Sequence, residues 1–284
     1  MHHIEGSIGF IGAGNMADAM IGALLQAHIY SPDKVFASDI DTDKLAVLRT
    51  RYGIHPLADN FSVYQASDMV VLAVKPQFFE PAVTSITKHP LYPCKTRRLI
   101  VSIAAGVRIQ KMEQLFYGER PEHIRMLHPI IRVMPNTPAL VLAGVSGMSS
   151  NRYVTEPDVR QARTILESMG TVLEFEEEQL DAVTAVSGSG PAYVFYLMEA
   201  MTAAAERLGL EPEKAAVLVR ETLRGAVELV RHTGETPEAL RRKVTSPGGT
   251  TEAALRVLEE RAIKPGLIAA IEAAAARGRE LGNR

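Results

Sequence analysis

The chain has 284 residues, 46% of them hydrophobic and 23% charged, with 31 Lys and Arg against 33 Asp and Glu for a formal charge of −2. That apolar share is enough for a sizeable core and excludes a mainly disordered chain, and the length suits about two domains. Neither the stretch before Glu177 nor the one after it carries a basic surplus, so neither a nucleic acid nor an anionic membrane is expected as a partner.

In chain order, the front half alternates between short apolar runs and helical patterns. Residues 7–11 read as a strand and 15–28 as a helix rich in Met, Ala and Leu, followed by a strand at 35–38 and a helix at 43–51. The uninterrupted apolar run 69–74 reads as a strand, with Pro76 opening another helix, and 99–103 as a strand before a helix at 108–116. Further strands are expected at 130–134, 145–148 and 171–175, with a helix at 156–169. Short, continuously apolar strands between helices are buried on both faces, which predicts a parallel sheet covered on both sides. From Glu177 onward strand signals vanish and alanine-rich helical patterns follow at 193–208, 212–232, 237–243, 251–261 and 266–281. Met1 to Gly6 are set aside as a native start or a cloning scar. Cys94 is the only cysteine, so no internal disulfide or thiolate metal cluster can form; no histidine stands at ligand spacing, and no metal is expected. No apolar run approaches a membrane span, so the expectation is a soluble, cytoplasmic protein.

The strongest local motif is Ile8-Gly9-Phe10-Ile11-Gly12-Ala13-Gly14-Asn15-Met16-Ala17, a G-x-G-x-x-A pattern between a strand and a helix. Gly12 permits the tight turn, Gly14 lets a pyrophosphate approach the backbone, and Ala17 keeps helix and strand close. The helix N-terminus then offers free N–H groups to phosphates. The predicted fold class is therefore α/β: a Rossmann-type doubly wound parallel sheet over residues 1–176 that binds a dinucleotide, followed by an all-helical domain over 177–284. Asp39, at the end of the second strand, has two readings, an acceptor for adenosine ribose hydroxyls or a turn residue beside Asp41 and Asp43. Lys75 follows a strand on the ligand side of the sheet, where it would hold the cofactor, face an anionic substrate or simply be solvated. Ile103-Ala104-Ala105-Gly106 ends the next strand with small residues that leave room for a flat ring. Ser246-Pro247-Gly248-Gly249-Thr250-Thr251 precedes a helix and reads as an N–H nest for a small anion or as a capped turn. Ser187-Gly188-Ser189-Gly190-Pro191 is equally a packing point or a ligand site, and the run Glu174 to Glu178 reads as a solvated face, with room for one member at the domain junction.

Taken together, Gly9 to Met16, Ala73 to Pro76, Val101 to Gly106, Arg132-Val133-Met134-Pro135-Asn136-Thr137-Pro138, Ser187 to Tyr193 and Ser246 to Thr251 resemble the pyrroline-5-carboxylate reductase family, in the family's order and over nearly the whole chain. The resemblance implies reduction of the cyclic imine 1-pyrroline-5-carboxylate to L-proline by NADPH or NADH, the last step of proline synthesis. Carried over by matching motif, Ile11, Gly12, Ala13, Gly14, Asn15, Met16, Asn60, Ala73, Val74, Lys75, Pro76, Ile103, Ala104 and Ala105 would contact the cofactor. Asp39 matches a position that contacts the adenosine ribose or its phosphate, and as an acid where relatives have Ser or Thr it argues against a strong NADPH preference. Lys243 stands where some relatives place a cofactor-contacting asparagine, a departure in type. Glu177, Thr250 and Thr251 match substrate-contacting positions, and Ser246 and Gly249 belong to the same helix mouth, which suits the substrate carboxylate. The Thr251 hydroxyl would hold the ring nitrogen, which with Lys75 makes the expected catalytic pair. The resemblance also implies a homodimer, with further assembly left open, and a cleft completed by helices of two chains. Two rivals fall on residues. A hydroxyacid dehydrogenase needs a lysine in the helix that here reads Pro191-Ala192-Tyr193-Val194, and a dinucleotide-sensing regulator has no use for a second anion site at Gly248-Gly249.

Overall fold

The computed structural model describes residues 4–282; Met1, His2 and His3, part of the stretch set aside above, lie outside the described residues. The chain forms two compact units, Met1–Ser189 with Ala275–Arg284, and Gly190–Ala274.

The first unit is built on eight strands: β1 (Ile8–Ile11), β2 (Val35–Ser38), β3 (His55–Pro56), β4 (Met69–Leu72), β5 (Leu99–Ser102), β6 (Ile130–Met134), β7 (Gly144–Ser150) and β8 (Gly170–Glu174). They form one sheet in the order β3-β2-β1-β4-β5-β6-β7-β8. The connecting helices are α1 (Asn15–Gln26), α2 (Thr42–Tyr52), α3 (Asn60–Ala66), α4 (Phe79–Thr87), α5 (Ile109–Tyr117) and α6 (Glu156–Glu167). The middle strands are apolar from end to end because both faces are covered. Met69 and Val71 of β4 pack with Phe10, Met20, Leu24 and Ile165 on one face, while Val70 and Leu72 pack with Phe61, Phe79, Val83 and Phe116 on the other. This is the two-residue alternation of a strand between two cores, each fully buried large side chain contributing about 1.5–3 kcal/mol.

The first six strands run parallel, but β7 lies antiparallel to β6, and β8 is parallel to β7. The expected all-parallel sheet is corrected here by chain length. Only the turn Thr137–Val141 and its flanks separate β6 from β7, too little for a crossover, whereas α6 supplies one between β7 and β8. β3 and α3 arise where no element was expected. β3 is two residues long, and α3 is started by Asp59, whose carboxylate accepts from the Ser62 N–H. Helix α1 ends at Gln26 instead of reaching His28, because His28 turns to a left-handed φ of 54°. Pro76 opens a 3₁₀ turn, Pro76–Phe78, before α4 begins.

The second unit contains α7 (Gly190–Arg207), α8 (Pro212–Thr233), α9 (Pro237–Lys243), α10 (Thr250–Glu260) and the start of α11 (Ile263–Gly282), whose residues from Ala275 belong to the first unit. Prolines at the first turns of α8 and α9 and the left-handed Gly234 after α8 set these helix ends. Among its described residues only Ala215 and Val219 are buried apolar side chains, while Phe195 is 58% and Tyr196 76% exposed. The change in sequence pattern at Glu177 precedes the division between units, because residues 177–188, though helical, remain bonded to the sheet through Glu177 and Asp181. Among the described residues no helix is long and apolar enough to cross a membrane.

Candidate active site

β1 has β2 on one side and β4 on the other, so the chain reverses its direction of winding at β1/β4, and the carboxyl ends of these strands open the crevice where such sheets bind ligands. Ile11 ends β1 in the core, and Gly12 follows with φ of 100°; a Cβ there would sit 2.9 Å from the Ala73 backbone, so only glycine fits between the β1 and β4 loops. A Cβ at Gly14, by contrast, would meet nothing within 4 Å. Gly14 is the N-cap of α1 and brings no side chain to its first amides, the next residues Asn15 and Met16 open the helix, and Ala17 is fully buried against the sheet. An open, uncapped helix start above a closed glycine turn fits a dinucleotide pyrophosphate.

Asp39 reaches into this loop. Its carboxylate accepts the Ala13 N–H at 2.6 Å and the Asp41 N–H at 2.8 Å, so it braces the glycine turn from β2; Asp41, not Asp39, caps α2. Both carboxylate oxygens keep a further lone pair for ribose hydroxyls. Asn60, first residue of α3, accepts the Ser38 hydroxyl at 2.7 Å and donates to the Ser85 hydroxyl at 3.0 Å, tying the end of β2 to α3 and α4. Ala73 is held by its N–H to the Ile11 carbonyl, Val74 is half-buried, and Lys75 and Pro76 are exposed at the carboxyl edge of β4. At the end of β5, Ile103 is half-buried, Ala104 buried and Ala105 exposed, and a cavity of about 930 Å³ opens between Pro76, Ala105, Arg108 and Leu281. The first unit thus gathers all the expected cofactor residues except Lys243 along one edge of its sheet.

The Glu174 to Glu178 run is not uniformly a solvated face. Glu177 Oε1 accepts the Ile109 N–H at 2.6 Å and a hydrogen bond from Arg132 Nη1 at 3.1 Å. Arg132, 2% exposed on β6, also reaches Asp181 at 3.6 Å, and Asp181 in turn faces Arg108 at 3.7 Å. Arg132 was read only as part of a motif and Asp181 not at all. The signal for Arg132 is an arginine inside Ile130-Ile131-Arg132-Val133, since a cation in an apolar strand must bring carboxylates with it. The neighbouring Asn136 accepts the Val145 N–H and donates to the Ser187 hydroxyl at 3.2 Å. Ser187-Gly188 lies in a π-helical turn, Thr184–Gly188, a conformation frequent at functional sites.

In the helical unit, Gly248 takes φ of 72° and Gly249 is the N-cap of α10. The expected nest is partly filled from within: Gly248 N–H donates to Glu252 at 2.8 Å and Gly249 N–H to the Ser246 carbonyl at 3.0 Å. The anion site therefore narrows to the first turn of α10, with Thr250 exposed, Thr251 half-buried and Ser246 exposed beside them. Nor is Thr251 a cap, since it is the second residue of the helix. Lys243 is engaged with Glu235 at 2.6 Å within the same unit.

Residues 177–281 match a family described as pyrroline-5-carboxylate reductase dimerisation, and residues 7–106 one described as NADP oxidoreductase, coenzyme F420-dependent. Over 275 residues the chain is 40% identical to a pyrroline-5-carboxylate reductase of Pseudomonas aeruginosa, covering 96% of each chain. It is 37% identical to pyrroline-5-carboxylate reductase 2 of Bacillus subtilis, over 96% of this chain and 94% of that one. Among solved structures it is similar to a pyrroline-5-carboxylate reductase from Coxiella burnetii, with a TM-score of 0.87, 35% identity and coverage of 98% and 99%. A Plasmodium falciparum pyrroline carboxylate reductase with NADP bound gives a TM-score of 0.85 at 29% identity, covering 99% of this chain and all of that one.

Proposed function

This chain belongs to the pyrroline-5-carboxylate reductase family, and we infer that it reduces 1-pyrroline-5-carboxylate to L-proline, the last step of proline synthesis, with NADPH or NADH as reductant. The observation that carries the reading is the glycine turn: Gly12 is closed against Ala73 while the space over Gly14 is open, a cradle that admits the phosphates of a dinucleotide. When bound, the cofactor supplies the hydride that saturates the imine carbon.

The chain's own residues bind and orient. Gly14, Asn15 and Met16 offer backbone N–H groups to the pyrophosphate, and Asp39 offers acceptors to the adenosine ribose. Ala104 and Ala105 leave space for the nicotinamide end, and the Lys75 ammonium places a positive charge at the same edge of the sheet. In the helical unit the first-turn amides of α10, with the Ser246 and Thr250 hydroxyls, receive the substrate carboxylate. The Thr251 hydroxyl oxygen accepts the iminium N–H and so favours the protonated, electrophilic ring. Positioning of this kind needs no strong general acid.

The family region matched by residues 177–281 is named for dimerisation, and the apolar side chains left exposed on α7 and α8 support a homodimer as the working form. The test is direct: purified protein should oxidise NADPH or NADH in the presence of pyrroline-5-carboxylate. No turnover with either cofactor between about pH 6 and 8, where native stability is usually highest, would overturn the assignment.

A further inference from the structure

We propose that Arg132, Glu177 and Asp181 form a charge latch that fixes the loop between β5 and α5, and that through Oε1 Glu177 serves the reaction as a positioning residue of this loop. The proposal rests on the reading of Ile103, Ala104 and Ala105 as a wall of the cofactor site.

The loop runs from Ser102, the end of β5, to Ile109, the first residue of α5. Its near end is tied to the sheet by the Ile103 N–H on the Leu72 carbonyl. Its far end has no local tie of that kind: the N-cap of α5 is Arg108, whose side chain makes no capping bond. Glu177 supplies the missing acceptor from 68 residues away, its Oε1 taking the Ile109 N–H at 2.6 Å. A carboxylate at a helix N-terminus satisfies an orphan amide and meets the positive end of the helix dipole.

The same oxygen is fixed by Arg132 Nη1 at 3.1 Å, and Arg132 lies on β6 beside Ser102 in the strand register. The guanidinium is almost fully buried and so needs anionic partners; Asp181 at 3.6 Å is the second. Asp181 also faces Arg108, a residue of the loop itself. Two cations and two carboxylates therefore cancel, and each bond in the set ends on the loop or on the strand next to it. Glu177 commits one carboxylate oxygen, Oε1, to this set, so its hold on the loop does not depend on what the second oxygen meets.

The experiment measures NADPH affinity by fluorescence titration, without turnover, together with steady-state kinetics and melting curves. In Glu177→Ala, NADPH should bind about tenfold more weakly, the scale of one lost hydrogen bond to a charged group. Glu177→Gln keeps an amide oxygen for the Ile109 N–H and should recover most of that affinity. A rise in the substrate KM with NADPH affinity unchanged would overturn the proposal in favour of direct contact, and so would a Gln variant as weak as Ala. If Glu177→Ala does not fold, Asp181→Asn carries the test: weaker NADPH binding supports the latch, and unchanged binding overturns it. Wild-type protein that binds NADPH but does not turn over pyrroline-5-carboxylate would sink the functional reading and leave the latch standing.

Discussion

The two units hold themselves together in opposite ways. In the first, strands β1, β4 and β5 are buried residue by residue, and helices close both faces of the sheet. In the second, helices α7 and α8 are well formed, and α8 is bounded by Pro212 and the left-handed Gly234, yet among the described residues only Ala215 and Val219 are buried apolar side chains. Good helix ends make helices, but they do not make a core; burial must come from outside the unit. The first unit is thus a finished scaffold whose substitutions should register as lost packing. The second matches a family named for dimerisation, and on the proposed homodimer its substitutions should register in assembly and in kinetics.

The largest expected effect lies in the scaffold. Gly12→Val forces a branched side chain into a left-handed φ and against the Ala73 backbone. Strain and clash together should cost more than about 4 kcal/mol, in the range reserved for the most damaging substitutions. Melting temperature and cofactor binding should fall together; a variant that binds NADPH normally would refute the role given to the turn.

Acid should act on the same unit through His128. Its Nδ1 lies 3.0 Å from the Ile124 carbonyl, which can only accept, so Nδ1 carries the proton and the Tyr64 hydroxyl donates to Nε2 at 2.6 Å. Burial, with Arg98 and Arg120 adding to it against the Ile124 hydrogen bond, pushes the imidazole down to about 4. The unfolded chain titrates near 6.5, so between those values it binds a proton the native state refuses. Stability should therefore decline as pH falls below about 6.5 and level off near 4, by roughly 3 kcal/mol for this group. Urea melts of wild type and His128→Gln across that window check it, the variant losing the His128 share of the slope.

What the sequence made legible follows the same division. Strands written as continuous apolar runs, such as 69–74, and helices with a cap and a period were readable because one residue after another says the same thing. β3 and α3 were not, because two paired residues and one short helix carry no period. Among site residues, Gly12 and Gly14 were readable from spacing alone. The bracing role of Asp39, the Glu177–Ile109 bond and the filling of the Gly248 amide by Glu252 depend on contacts between distant or turned-back segments, which no local pattern encodes.

In the helical unit, Thr251→Ala separates chemistry from folding. Because Gly249 is the N-cap of α10 and Thr251 the second helical residue, stability should change by no more than about 0.5 kcal/mol. Loss of the hydrogen bond to a charged ring nitrogen should slow turnover about ten- to a hundredfold, or roughly 1.5–3 kcal/mol. Thr251→Ser should recover most of it. An Ala variant that turns over normally would return Thr251 to a purely helical role. Assembly should show a smaller, graded effect: if the helical unit finds its core in a second copy, each tenfold dilution should remove about 1.4 kcal/mol of apparent stability. Melting that does not move with concentration would mean the unit stands alone.

The smallest effect expected is also the one that divides the two roles of Asp39. As an anion it repels a 2′-phosphate, and as an acceptor it braces the Ala13 N–H across the glycine turn. Asp39→Asn removes the charge and keeps one carbonyl oxygen for the Ala13 N–H while giving up the acceptor for the Asp41 N–H, so stability should fall by about 1 kcal/mol while the NADPH-to-NADH ratio of kcat/KM rises, by up to about tenfold for ~1.4 kcal/mol of relieved repulsion. Asp39→Ser removes both, since its hydroxyl is too short to span the same gap. It should shift the ratio in the same direction and lower stability by about 2 kcal/mol, since both N–H groups lose their acceptor at about 1 kcal/mol each. If neither variant moves the ratio while Ser lowers the melting point further than Asn, Asp39 is a brace for the turn and takes no part in choosing the cofactor.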